Sequence, residues 1–311
     1  MQTQSIRSLR SFPGFLGSIP LTFASALTLA GCAASAGDPG AAQQRAPLPL
    51  SAAAASAEPG QAPGKLGSGV EALCQPWTTH VTGPYRYENN QWGSDKAKGP
   101  SEQCLLLREV GGRKEVGWTW SWPGFDPTVF AYPEVVFGYK PWSGGKSTDA
   151  RFPMQVSQVR QLVLSYEVET QANGSYNLAP EIWLTNSASA STTANPKSIT
   201  TEVMFWMDYS SGARPAGEIV ATPTLGGVTY ELWKEDSIGK SANGQGWMLL
   251  SFKSPTIQRR GTIDIAQLLA HLVNTKLVNA NDYVASVEFG NEVMGGSGTT
   301  WVKRFDVQVG E

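Results

Sequence analysis

Apolar and polar positions alternate in short runs along most of the chain, the two-residue period of half-buried strands. The clearest run is residues 201–209, TEVMFWMDY. Alternation puts Val203, Phe205 and Met207 on one face, uniformly apolar and therefore core. Glu202, Met204, Trp206 and Asp208 share the other. A carboxylate beside a flat aromatic suits a face that stacks a sugar ring and attacks it. A half-buried strand whose Glu pairs with Lys or Arg reads the same way. Further strands are predicted at 116–122, 132–142, 159–170, 178–185, 228–234, 246–252, 283–292 and 300–309. Trp118, Trp120 and Trp122 share a face, as inter-sheet core or as a carbohydrate platform. Glu181 and Trp183 repeat the carboxylate–aromatic pairing.

One segment has a helical period. Ile265, Leu268, Leu269, Leu272 and Val273 fall on one face of residues 264–274. Asp264 followed by Gln267 makes a capping box. Many short strands, frequent turn signals and a single helix predict an all-β chain. The expected architecture is an all-β sandwich or jelly roll.

The first 69 residues break this pattern. Arg7 and Arg10 precede an apolar stretch that ends Leu29-Ala30-Gly31-Cys32, the order of a bacterial lipoprotein leader. Residues 1–31 are read as a signal peptide, Cys32 as the lipidation site and 32–69 as an Ala/Pro/Gly-rich tether. Residues 70–311 are the folded domain. An ordinary secretory leader is the alternative. Residue 33 is Ala rather than Asp, which by resemblance to Gram-negative lipoproteins points to the outer membrane. With Cys32 lipidated, Cys74 and Cys104 are the remaining cysteines. In an oxidising compartment they are expected to pair, a link worth roughly 3 kcal/mol of chain entropy.

The chain carries 24 basic and 26 acidic residues, a net charge of -2, which argues against a nucleic-acid partner. It has 2 histidines, His80 and His271, too few for a His-based triad or a His-rich metal site. What remains for chemistry is carboxylates. In 287–296, VEFGNEVMGG, Glu288, Gly290 and Glu292 share a face, and Gly290 leaves room for a group to approach the backbone. Two glutamates on separate strands suit glycoside hydrolysis, which needs one carboxylate and one carboxylic acid. Pairing alone does not choose between Glu288 and Glu292. Near the start, Asn89, Asn90 and Trp92 can offer sugar hydrogen bonds and a stacking plane, or form a turn with a core Trp.

Taken in order, Asn-Asn-x-Trp (89–92), Tyr-Pro-x-Val-Val-Phe-Gly (132–138), Glu-Val-Met-Phe-Trp-Met (202–207), the helix and Val-Glu-Phe-Gly-Asn-Glu (287–292) resemble the family-12 glycoside hydrolases. These are jelly-roll endo-β-1,4-glucanases that retain anomeric configuration, and the resemblance implies a concanavalin-like β-jelly-roll sandwich with the one helix packed on its convex face. By that resemblance Glu202 is the nucleophile and Glu292 the general acid/base, with carboxyl groups roughly 5–5.5 Å apart. Glu181 stands where the family often has Asp, as a supporting carboxylate. Asn90, Trp92, Met204 and Trp206 match substrate-binding positions, and Cys74 and Cys104 match the family's N-terminal disulfide. The family's late motif often reads Gly-Thr-Glu-Pro-Phe, whereas here it is Gly-Asn-Glu-Val-Met.

The resemblance implies a β-glucan substrate, no metal or organic cofactor, and a monomer that meets a membrane only through its N-terminal lipid. A non-catalytic carbohydrate-binding sandwich is the rival reading. A jelly-roll xylanase is a further one, disfavoured by Glu-x-Met-x-Trp.

Overall fold

The computed structural model describes residues 67–124, 128–240 and 244–310. The predicted leader, Cys32 and the tether up to residue 66 lie outside them. In chain order the first strands are β1 (Val70–Leu73), β2 (Thr79–Thr82), β3 (Tyr85–Glu88), β4 (Glu102–Val110), β5 (Arg113–Trp122), β6 (Glu134–Gly138) and β7 (Met154–Gln155). Then come β8 (Gln161–Thr185), β9 (Ile199–Trp206), β10 (Asp208–Tyr209), β11 (Glu218–Ala221), β12 (Thr224–Leu225), β13 (Val228–Thr229) and β14 (Glu231–Ile238). Last are β15 (Trp247–Lys253), β16 (Arg260–Asp264), helix α1 (Ile265–Asn274) and β17 (Tyr283–Gly310).

Two strands organise the rest. β8 has 25 residues and β17 has 28, and they pair antiparallel along nearly their whole length. The C-terminal part of β8 and the N-terminal part of β17 lie in a front sheet ordered β2-β3-β6-β17-β8-β9-β15-β14-β11. Their other parts lie in a back sheet ordered β1-β4-β5-β17-β8-β16. The sequence pattern predicts separate strands at 159–170 and 178–185, and again at 283–292 and 300–309. Each pair is instead one strand crossing between the sheets. The crossing falls where Gly174 faces Gly296, both at positive φ. A Cβ on Gly174 would meet Gly295 O at 2.4 Å, and one on Gly296 would meet Asn173 O at 2.1 Å. The backbones touch there, so the glycines that read as a turn mark a bend in a continuous ladder.

The core lies between the sheets. Trp118, Trp120 and Trp122 point into it, all nearly inaccessible, and Trp122 stacks on Phe130. The inter-sheet reading of this face is the one the fold adopts. Helix α1 buries Ile265, Leu268, Leu269 and Leu272 in the same core. Its N-cap is Asp264, whose side chain accepts from Gln267 N at 2.9 Å. Cys74 and Cys104 form a disulfide that ties the segment after β1 to β4.

Candidate active site

The site grows from β9, between β8 on one side and β15 on the other. Register sets Glu202 opposite Trp183 and Leu249, and Met204 opposite Glu181 and Ser251. Alternation holds as far as Trp206. Beyond it Met207 is an extra residue, because both Met207 N and Asp208 pair with Leu178. This bulge turns Asp208 away from the Glu202 face. Asp208 is fully buried and accepts from Arg259 Nε at 2.7 Å and from Tyr176 OH at 3.3 Å. The period-two expectation for Asp208 is corrected accordingly: its carboxylate is structural.

β17 brings the second acids. Glu288 faces Glu181 across the β17–β8 ladder, and Glu292 faces Asn177. The two glutamates that sequence spacing leaves equivalent differ in surroundings. Glu288 is buried, with Ser286 Oγ donating to it at 2.7 Å and Lys140 Nζ at 3.6 Å. Glu292 is part-exposed and takes a hydrogen bond from Asn177 Nδ2, while its backbone N donates to Asn177 Oδ1 at 3.4 Å. The space beside Gly290 is already filled. A Cβ there would lie 2.5 Å from Pro133 O and 3.0 Å from Tyr132 Cζ, so the approaching group is the chain before β6. Tyr132, laid across this floor, donates to Ala179 O at 2.8 Å.

Burial raises the Glu202 carboxyl above its ordinary range. The charge of Glu292 adds to this, and a 2.8 Å hydrogen bond from Trp247 Nε1 opposes it. Burial pushes Glu292 up to about 7 against the Asn177 donation. Burial, then the charges of Glu202, Glu292 and Glu288, push Glu181 well up. Glu202 and Glu292 raised together by burial, with Glu181 raised beside them, are suited to carry one proton between a nucleophile and an acid.

The aromatic positions divide. Trp92 is 49 % exposed, with Lys96 Nζ over one side of its ring at 4.6 Å, whereas Trp206 is 4 % exposed and Met204 2 %, so the last two form floor rather than platform. Asn90 is buried, donates to Glu134 Oε1 at 2.8 Å and accepts from Trp92 N at 3.2 Å. Asn89 turns inward, donating to Gln75 O and Gln103 O, and offers nothing to a sugar.

Sequence reasoning missed Trp247, Asn177 and Trp77. Asn177 is legible by stepping back in twos from Glu181. Trp247 reaches Glu202 only through β9–β15 pairing. Trp77 is 49 % exposed and sits at φ 65°. It is the third residue of a Gln75-Pro76-Trp77-Thr78 turn closed by Thr78 N to Gln75 O at 3.1 Å, a place that favours glycine. Its backbone N donates to Asn89 O at 2.9 Å, which sets it beside the segment carrying Trp92.

The family model for Glycosyl hydrolase family 12 matches residues 83–310. The chain belongs to this family. Endoglucanase S of Pectobacterium parmentieri is 30% identical over 226 residues, covering 72% of this chain and 81% of the relative. Xyloglucan-specific endo-beta-1,4-glucanase A of Emericella nidulans is 25% identical over 234 residues, 73% of this chain and 86% of the relative. Among solved structures, a family 12 xyloglucanase from Bacillus licheniformis superposes with a TM-score of 0.68 at 31% identity. It covers 77% of this chain and 100% of that one. This family-12 chain therefore has the jelly-roll sandwich expected from its strand pattern.

Proposed function

We propose that this family-12 chain is a retaining endo-β-1,4-glucanase acting on internal bonds of β-glucans, unbranched, mixed-linkage or xyloglucan, as a monomer and without a cofactor. The observation that carries it is the pair Glu202 and Glu292 on the front sheet, raised together by burial, with Trp92 half exposed. Glu202, ionised and held by Trp247 Nε1, attacks the anomeric carbon. Glu292 protonates the leaving oxygen and then takes a proton from the incoming water. Glu181, kept neutral, stands by the nucleophile without repelling it. Release of reducing ends from soluble β-1,4-glucan tests this reading, and product profiles on the three polymers rank them. Binding of these polymers with no new reducing ends would favour the non-catalytic sandwich.

Trp77 supports a longer sugar platform. Holding a bulky residue at positive φ costs about 1–2 kcal/mol, and strain of this kind persists where it serves a site. Trp77→Gly relieves it at a backbone-entropy cost of about 0.5–1 kcal/mol. The variant should therefore melt slightly higher than the parent while KM for polymer rises severalfold. A lower melting temperature with unchanged KM would remove Trp77 from the platform.

The mature protein is proposed to be lipid-anchored through Cys32 at the outer membrane. Support comes from Arg7, Arg10, the apolar run and Leu29-Ala-Gly-Cys32. Cys32→Ser should release the protein from the membrane fraction or leave it uncleaved. Unaltered fractionation and processing would count against the anchor.

A further inference from the structure

Besides the three acids of the site, the front sheet buries Glu88, Glu134, Lys140 and Glu288, each at 4 % exposure or less. Glu88 on β3 faces Glu134 on β6, and Glu134 faces Gly290 on β17, two residues from Glu288. Lys140 Nζ donates to Glu134 Oε1 and lies 3.6 Å from Glu288 Oε2 and 3.8 Å from Glu88 Oε2. Arg86 Nη2 is 3.6 Å from Glu88 Oε2 and balances that charge. One ammonium is left for two carboxyls, Glu134 and Glu288. A buried carboxylate without a counter-charge neutralises by taking a proton.

The hydrogen bonds say which one. Glu134 Oε1 accepts from Lys140 Nζ and from Asn90 Nδ2, while its buried Oε2 has no donor. Glu288 stands two residues from Gly290, which pairs with Glu134, and both carboxyls lie by Lys140 Nζ. A proton on Glu134 Oε2 neutralises the carboxyl oxygen that has no donor and leaves the negative charge on Glu288, which keeps Ser286 Oγ at 2.7 Å and Lys140 Nζ at 3.6 Å. Burial correspondingly drives Glu134 well up. Glu288 stays below the ordinary range because Lys140, Glu134 and Ser286 outweigh its burial. Glu134, Lys140 and Glu288 together are then neutral, with their one negative charge on the carboxylate that faces Glu181, and Arg86 balances Glu88.

We propose that Glu134, Lys140 and Glu288 are positioning residues for both halves of the site: Glu134 holds Asn90 below Trp92, and Glu288, fixed by Lys140 and Ser286, sets a charge directly across the ladder from Glu181, beside Glu202. This rests on reading Glu202 and Glu292 as the catalytic pair. The groups around Glu181 are Glu202 from β9, Glu288 and Glu292 from β17, and Glu134 from β6. Tyr132 and Lys140 flank β6, and Arg86 and Glu88 come from β3. Of these, Glu288 is the charge set directly across from it in register.

The test is the pH profile of kcat/KM on soluble β-1,4-glucan together with carbon-13 titration of the glutamate carboxyls. Glu288→Gln removes a negative charge without changing shape. The Glu181 titration and the acid limb should both move down by about one pH unit, with the Glu292 limb in place. Lys140→Met should move the acid limb up, and the Lys140→Met/Glu288→Gln double variant, again charge-balanced, should return it towards the parent and refold if Lys140→Met alone does not. Glu134→Gln, the neutral isostere of the protonated acid, should leave the Glu181 titration where it is. Folded variants whose limbs and titrations do not move would overturn the proposal, as would a Glu134→Gln shift matching that of Glu288→Gln. A parent that never cleaves β-1,4-glucan would defeat the catalytic reading instead, and the carboxyl titrations would still decide the cluster.

Discussion

Glu202→Gln and Glu292→Gln should each cut turnover on β-1,4-glucan by several orders of magnitude while the fold survives, because both replacements are isosteric. They should differ in kind. Glu292→Gln should still react with an aryl glycoside whose leaving group needs little protonation, and azide should rescue the second step. Glu202→Gln should not be rescued this way, because no glycosyl-enzyme forms. The pH profile separates them further. Glu292 acts as an acid and is raised by burial to about 7, so activity is present below that pH and lost as pH rises through it. With the activated substrate this limb should vanish in Glu292→Gln. The acid limb reports ionisation of Glu202. Glu202 is raised to about 8, by burial and then by the charge of Glu292, so the two groups share one proton, and both limbs belong to the pair and should lie above the ordinary carboxylate range. Loss of turnover in Glu288→Gln with retention in Glu292→Gln would reassign the acid.

Asn291→Ala should be the most damaging change that touches no substrate. Asn291 departs from the family's frequent Thr, and the departure has a structural reason. The side chain points between the sheets, fully buried. Its Oδ1 accepts from Trp118 Nε1 and Thr300 Oγ1, both at 2.8 Å, and its Nδ2 donates to Asn177 O at 2.9 Å. Truncation leaves an indole N–H and a carbonyl without this partner, each at about 1–3 kcal/mol, while the Thr300 hydroxyl keeps Thr170 Oγ1 at 3.1 Å. A loss of about 3–5 kcal/mol is expected in denaturant unfolding. Because Asn177 also holds Glu292, kcat should fall in whatever fraction stays folded. A stability loss under about 1 kcal/mol would mean that the indole N–H and the carbonyl find other partners. Asn291 does not line the cleft, so it does not choose among polysaccharides by contact.

The face of Glu202 was legible because it depends only on alternation within one strand, and 201–206 keeps that alternation without a break. The helix was legible to the residue, since Asp264, Gln267 and the apolar stripe are neighbours in sequence. The cysteine pair followed from a count. Where the reading stopped, the deciding contact was between distant segments. Asp208 changes face because one extra residue at Met207 is absorbed by pairing with β8, and a period-two rule cannot see a bulge set by its partner strand. β8 and β17 run unbroken through Gly174, Gly295 and Gly296, although glycines in sequence read as turns. Spacing leaves Glu288 and Glu292 equal, since both stand on the same side of one strand. What separates them is Lys140 and Ser286 under one and Asn177 beside the other. The sequence alone determined which residue types could do the chemistry and which face they share. Only the packed sandwich decided which carboxyls are buried beside which charges, because desolvation and Coulomb interaction depend on distance in space and not along the chain.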